Sequence, residues 1–312
     1  MILKITATEF DRIQGWIYRN ARPLDLARWN YHFKQASCDP IVAALCAYQN
    51  PDGGFAHALE PDAWNPTSSP IQTSSAIERI EEIGGLDKDH PIIIGILKYL
   101  ASDVDFIANR WCNVIPSNDD FPHAPWWNSK ADSRDRSEYN PTAILIGFIL
   151  KYAEKSNPLY QKALILSQEL IALYIQKPLL EMHPLLCLDF LYEKMLEVGL
   201  DNTIGFRTAR EKCYQDMSAV IKQDMDRYNE YACLPTVFIT TPAHLLYAEL
   251  KEAVDKDIQW KISARNEQGL WDLSWAWSNY LEAFAISANW WKADLAIRNL
   301  LILKNFGLLE GY

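Results

Sequence analysis

The sequence predicts an all-α fold, and three observations carry that reading. Apolar residues recur at helical spacing through most of the chain, runs that alternate apolar and polar are scarce, and only 12 Gly occur in 312 residues. Few glycines suit helices joined by structured loops better than a sheet with many tight turns. The 49% hydrophobic content is that of a folded globular protein, long enough for one large domain or two modest ones.

Two kinds of helix are visible. In "AIERIEEIGG" the apolar Ile77, Ile80 and Ile83 recur every three residues against Glu78, Arg79, Glu81 and Glu82, and Gly84 and Gly85 close the segment. That is an amphipathic, outward-facing helix. Thr142 to Lys155, "TAILIGFILKYAEK", is instead apolar nearly all round at its start, as expected for a helix buried on most sides. Further helices are predicted near 9–20, 23–35, 39–49, 71–83, 90–101, 158–175, 184–198, 206–223, 235–252, 256–265, 276–289 and 291–305. No Pro/Gly/Ser linker divides the chain, so residues 1–312 read as one domain, with the polar run Asn128 to Glu138 as its most mobile-looking stretch.

Charge and cysteine usage exclude several classes. Lys plus Arg number 30 and Asp plus Glu 40, and a net charge of −10 argues against nucleic acid or an anionic membrane surface as the main partner. The first 20 residues lack a sustained apolar core, and no later run approaches the roughly 18 to 20 apolar residues that span a bilayer. The expected location is therefore cytoplasmic, with no integral membrane segment. Cys38, Cys46, Cys112, Cys187, Cys213 and Cys233 show no C-x-x-C pair, so buried free thiols are expected rather than a disulfide frame.

Residues 49 to 55, "QNPDGGF", end the third helix. Pro51 fixes φ and lacks a donor, while Gly53 and Gly54 permit positive φ, so a turn is required there. A related pattern stands near the other end of the chain. Leu45 is followed by three residues and Gln49, then by Gly53 and Phe55; Ile262 is followed by three residues and Asn266, then by Gly269 and Trp271. Both read as an apolar residue, an amide, a Gly turn and an aromatic.

This pattern resembles the QW repeat of terpenoid cyclases and protein prenyltransferase β subunits, in which a helix ends at the Gln and a Gly turn presents the aromatic. The resemblance covers two junctions and implies a single α/α toroid, an inner ring of helices around a pocket and an outer ring against solvent. It also implies neighbouring chain ends. In this sequence Phe55 stands for Trp in the first copy and Asn266 for Gln in the second. The family's reactive motifs are missing. "DVDF" at Asp103 to Phe106 lacks the paired carboxylates of a D-x-D-D acid, "NDDFPH" at Asn118 to His123 is not a D-D-x-x-D magnesium site, and no D-x-C pair for zinc occurs. No metal and no cofactor is predicted.

Three polar-aromatic loops remain as candidate sites. The first, "GGFAHALEPDAWNPTSSPIQT", holds His57, Glu60, Asp62, Trp64 and Asn65. Two carboxylates beside an imidazole suit general acid and base work, because burial and charge coupling separate their pKa values; the plainer reading is helix capping or pairing with Arg. The second, "RWCNVIPSNDDFPHAPWWNSK", holds Trp111, Asp119, Asp120, His123, Trp126 and Trp127. Indole faces interleaved with carboxylates and imidazole suit a flat or apolar ligand, or else anchor the loop. The third, "NEQGLWDLSWAWSNY", holds Trp271, Asp272, Trp275, Trp277 and Tyr280, with Glu282 just beyond it. On a helix from Ser274, Trp275 and Trp277 lie on different faces, so some of these indoles belong to the core.

In a toroid the loops after the two Gly turns share one rim. The composite site then combines His57, Glu60, Asp62, Asp120 and His123 as acid–base candidates with Trp64, Asn65, Asp119, Trp126, Trp127, Trp271 and Trp275 as binding residues. Glu60, Asp62 or Asp120 is the expected acid. Three functions stay open: an isoprenoid cyclase-like protein stabilising cations by aromatic contact, a carbohydrate-active hydrolase or lyase, and a non-catalytic toroid that binds a ligand, peptide or partner. No phosphate loop, H-E-x-x-H or G-x-S-x-G motif is present.

Overall fold

The computed structural model describes residues 3–130 and 138–311; Ala131 to Ser137, most of the polar run that looked mobile from sequence, lie outside the described residues. The helices are α1 (Ala7–Asn20), α2 (Pro23–Lys34), α3 (Asp39–Cys46), α4 (Pro70–Glu82), α5 (Pro91–Ala101), α6 (Thr142–Tyr152), α7 (Pro158–Ile175), α8 (Met182–Glu197), α9 (Phe206–Asp224), α10 (Tyr247–Ser263) and α11 (Leu281–Asn305). A two-residue hairpin, β1 (Phe106–Ile107) with β2 (Arg110–Trp111), is the one named sheet among the described residues. Helix accounts for 58% and strand for 4%, which is the all-α class that the periodicity predicts. No described helix is long and apolar enough to cross a membrane.

The chain divides into two compact units: Met1–Ala44, Ser218–Trp277 and Leu281–Tyr312 form the first, and Leu45–Met217 with Ser278–Tyr280 the second. In the first unit, Thr6 and Glu9 form a reciprocal capping box at the start of α1. Ile5 pairs with Leu309 in parallel, with Ile5 N–H donating to the Leu308 carbonyl at 3.0 Å and Glu310 N–H to the Ile5 carbonyl at 2.9 Å, so the two ends of the chain meet. Helix α11 packs on α1 and α2. Under that packing lies a chain of buried charges: Asp25 meets Arg22 at 2.9 Å and Arg28 at 3.0 Å, and Arg28 meets Asp294 at 2.7 Å. Loss of one member would strand a desolvated charge.

Helix boundaries in this unit differ from the periodicity. Only Pro235–Val237 of the segment near 235–252 is helical before Tyr247, as one 3₁₀ turn. Pro235 and Pro242 each remove a backbone donor, and turns fill the interval. The segments near 276–289 and 291–305 are one helix, because residues 281–305 contain neither Gly nor Pro. It does not reach back to 276, since Tyr280 has φ 53 and cannot continue a right-handed helix.

In the second unit α6 is the inner element. Residues 142–150 and Tyr152 are all buried, and the helix packs on α8, α7, α4 and α5. Gly147 permits close contact with α8, since a Cβ there would stand 3.1 Å from the Phe190 ring. Helix α4 is outward-facing only in its last turn: Pro70 to Ile77 are buried apart from half-buried Ser75. Its carboxylate Glu81 receives Lys151, Lys194 and the Tyr152 hydroxyl, which joins α4, α6 and α8.

Candidate functional site in the second unit

The turn at residues 50–54 sets the first loop. Asn50 N–H donates to the Gly54 carbonyl at 2.9 Å and Gly53 N–H to the Asn50 carbonyl at 2.9 Å, with Gly53 at φ 98. Gln49 and Phe55 then pair antiparallel, Phe55 pairs again with Ser69, and Phe55 is fully buried. In the first unit the same turn recurs. Asn266 N–H donates to the Leu270 carbonyl and Gly269 N–H to the Asn266 carbonyl, both at 2.8 Å, with Gly269 at φ 82. The structural match is therefore Asn50 with Asn266, whereas matching by the amide alone pairs Gln49 with Asn266. Arg265 occupies the place of Gln49, and Phe55 and Trp271 remain equivalent.

The first and second loops are stitched into one surface. Ala63 and His123 form an antiparallel bridge, with Trp64 N–H donating to the Pro122 carbonyl at 2.9 Å and Ala124 N–H to the Asp62 carbonyl at 2.8 Å. Asn65, 2% exposed, donates through Nδ2 to Ser117 Oγ at 2.8 Å and Asn118 Oδ1 at 2.9 Å and accepts from Thr67 N–H. Asn118 Nδ2 donates to the Trp127 carbonyl at 3.1 Å. Every hydrogen of the Asn65 amide is thus satisfied, which fixes the loop pair.

The candidate side chains divide by exposure. Asp120 and His57 are exposed, Glu60, Trp64, Asp119 and Trp126 are half-buried, and Asp62, His123 and Trp127 are buried. Glu60 Oε2 accepts from Asp62 N–H at 3.0 Å, a local loop contact. Asp119 accepts from Ser129 N–H at 2.8 Å and Ser129 Oγ at 2.6 Å, and these bonds hold its carboxyl below the ordinary range. His123 Nδ1 lies 2.7 Å from the Phe121 carbonyl, so Nδ1 carries the proton there and Nε2 accepts from Asn128 Nδ2 at 3.3 Å. Its ring also lies 5.6 Å from that of Tyr280. Trp111 is wholly buried and lies against Phe106.

Trp271 and Trp275 belong to the first unit. Trp271 is 4% exposed and its Nε1–H donates to the Lys261 carbonyl at 2.8 Å, so it serves as an anchor of its own turn. Trp275 is half-buried in an edge-to-face series with Tyr231 and Trp291, at 5.8 and 5.4 Å. Trp277 is core.

Other features lie apart from the loop pair. Asp189 on α8 is pushed up to about 6 by burial and then by Glu193, against the opposing Arg210. An open groove of about 550 Å³ is lined by Asn109, Pro158, Lys162, Ile165 and Glu169. Among the described residues no three His, Cys, Asp or Glu groups are arranged to hold a metal, and no disulfide joins any of the six cysteines, of which Cys187, Cys213 and Cys233 are buried and Cys46 is exposed. Sequence reasoning missed Asn50, Asp52, Ser68, Gln72, Ser117, Asn118 and Asn128 as parts of the loop framework. Asn and Asp are residue types that favour turns, but the long-range partners of Asn50 and Asp52 have no signal in local spacing. Comparison with protein-family models, curated proteins and solved structures found no match for this chain.

Proposed function

We propose that the loop pair of residues 56–69 and 116–129 binds a polyhydroxylated, carbohydrate-like ligand, as a hydrolase or lyase site on an α/α toroid. The observation that carries this reading is that half-buried Trp64 and Trp126 stand on two loops locked together by hydrogen bonds among their amide, hydroxyl and imidazole groups. A preorganised mix of indole faces and fixed polar groups suits sugar rings. Exposure of His57 and Asp120 suits a ligand approached from water, where an isoprenoid cation requires a dry enclosure. Asp120 is the proposed acid, since Glu60 and Asp119 support their own loops.

The second reading is an isoprenoid cyclase-like protein, favoured by the recurrence of one Gly turn before Phe55 and Trp271. Titration of intrinsic tryptophan fluorescence with a panel of neutral oligosaccharides and with farnesyl diphosphate separates the two. A saturable oligosaccharide signal lost in Trp126→Ala is expected. Saturation by the diphosphate alone would overturn the carbohydrate reading, and silence toward both would point to the non-catalytic partner-binding alternative.

A further inference from the structure

His57 occupies an unusual place in the first loop. It and Ala58 have φ 61 and φ 59, both left-handed without being glycine, and Leu59 N–H closes the turn onto the Ala56 carbonyl at 3.3 Å. Such conformations are strained for a residue with a Cβ and persist where surrounding structure imposes them. Here His57 N–H donates to the Asn65 carbonyl at 3.1 Å, which ties the strained turn to the framework of the loop pair. The result is an imidazole held at the surface by buried groups.

Its proton can be assigned from its neighbours. Asn50 Nδ2 lies 2.9 Å from the Pro66 carbonyl, which only accepts, so the amide orientation is fixed and Oδ1 faces the imidazole. His57 Nε2, 3.0 Å from Asn50 Oδ1, must therefore donate. Asn50 Nδ2 also donates to Ser68 Oγ at 2.9 Å, and Ser68 Oγ donates to Asp52 Oδ1 at 2.8 Å. Three hydrogen bonds run in one direction from His57 and end on a carboxylate. Aligned donors polarise one another, which keeps the proton on Nε2 and concentrates the lone pair on Nδ1.

We infer that His57 is the proton-accepting and nucleophilic group of this loop pair, working through Nδ1, with Asn50, Ser68 and Asp52 as its positioning residues. The ligand class rests on the carbohydrate reading above, where Nδ1 accepts the hydrogen bond of a ligand hydroxyl and disfavours a bare anion that offers no donor. The reactivity of His57 does not depend on that reading. A plain structural role for the same bonds would make the ring a stitch for the turn, no more reactive than any exposed histidine.

The two are separated with 4-nitrophenyl acetate as the probe on the full chain. Nδ1 forms a bond to the acetyl carbon as the ester C–O bond breaks and 4-nitrophenolate leaves with the electron pair. The acetylimidazolium releases its Nε2 proton to solvent, and water then frees acetate and the ring. His57→Gln should remove most of the protein-dependent rate. Ser68→Ala keeps His57 but interrupts the chain and should lower the rate about fivefold, the loss of about one ordinary hydrogen bond. Nitrogen-15 spectra of the imidazoles read the same feature without the probe. The wild type should hold the Nε2–H tautomer at His57, and Ser68→Ala should move toward averaging. An unchanged rate in Ser68→Ala, a folded His57→Gln protein with full rate, or an Nδ1–H tautomer in the wild type would each overturn the inference. Oligosaccharide binding with normal His57 reactivity absent would sink the inference alone; reactivity without oligosaccharide binding would sink the ligand assignment alone.

Discussion

The turns at Asn50–Phe55 and Asn266–Trp271 are built alike and housed differently. Each uses an Asn N–H to reach the carbonyl four residues on, a Gly with positive φ, and a buried aromatic two residues after that Gly. Around the first, the backbone of α5 comes so close that a Cβ on Gly53 would stand 2.0 Å from the Gly95 carbonyl oxygen. Around the second, the nearest atoms to a Cβ on Gly269 are side-chain carbons of Ile13 and Arg12 at 3.6 and 3.7 Å. The same local recipe is thus a packing contact in one unit and a plain chain reversal in the other. Gly53 is required both by its dihedral and by its neighbour; Gly269 is required by its dihedral alone.

The largest expected effect follows from that difference. Gly53→Ala combines left-handed strain with a backbone clash and should cost about 3–5 kcal/mol, whereas Gly269→Ala bears strain alone and should cost about 1–2 kcal/mol. Urea denaturation of both variants checks this, and equal losses would mean that the Gly53–Gly95 contact relaxes without cost.

The aromatics sharpen the contrast next. Phe55 is fully buried, so Phe55→Trp overfills its site and should cost about 1–3 kcal/mol. Trp271→Phe gives up the Nε1–H bond to the Lys261 carbonyl and should cost about 1 kcal/mol. Thermal unfolding of the two exchanges gives the comparison. A stabilised Phe55→Trp would show that the first turn prefers the residue found in the second.

A smaller effect separates the third residue of each turn. Asp52 accepts from Gly54 N–H at 2.9 Å as well as from Ser68, while Gln268 is exposed and Asn266 Oδ1 takes the Gln268 and Leu270 N–H groups instead. Asp52→Ala should lose about 1 kcal/mol and Gln268→Ala less than about 0.5 kcal/mol. Equal losses by chemical denaturation would remove Asp52 from the turn's support.

The smallest effect is a pH dependence confined to the second turn. Hydrogen bonding by Lys292, at 2.9 Å, holds the Asp272 carboxyl below its ordinary range, with Asn266 contributing and burial opposing. A depressed carboxylate adds stability that is complete above its unfolded pKa and is lost as pH falls through the lower folded value. Asp272 is 62% exposed, so screening limits the gain to well under about 1 kcal/mol. Asp272→Asn should therefore lower the melting temperature slightly at pH 7 and converge with wild type in acid. A gap that widens on acidification would reverse the assignment.

Legibility from the sequence varied with the range of the interaction. The buried helix at residues 142–150 was readable because a helix apolar all round has no solvent face to spare. The amphipathic reading of residues 76–85 described the exposed end of α4, yet its Gln72 and Thr73 are buried because they serve the loops: Gln72 receives Glu60 N–H at 2.7 Å and donates to the Ala63 carbonyl at 2.8 Å, and Thr73 Oγ1 receives Phe55 N–H at 3.1 Å. Polar residues buried for such a purpose look like surface to a periodicity count. Residues 57–65 and 119–127 could be picked out separately by composition, but their union through Ala63 and His123 depends on backbone pairing across 60 positions of sequence, for which spacing holds no signal.

Short-range chemistry is enough to set the helical class, the places where Gly and Pro halt the helices, and the existence of two similar turns, because dihedral limits and 3.6-residue periodicity act within a few residues. Tertiary structure alone decided that Asn50 rather than Gln49 corresponds to Asn266, that Gly53 touches Gly95, and that His57 donates through Asn50 and Ser68 toward Asp52. Those outcomes rest on distances and hydrogen-bond directions between groups far apart in the chain, and directional bonds exist only once packing has set both partners.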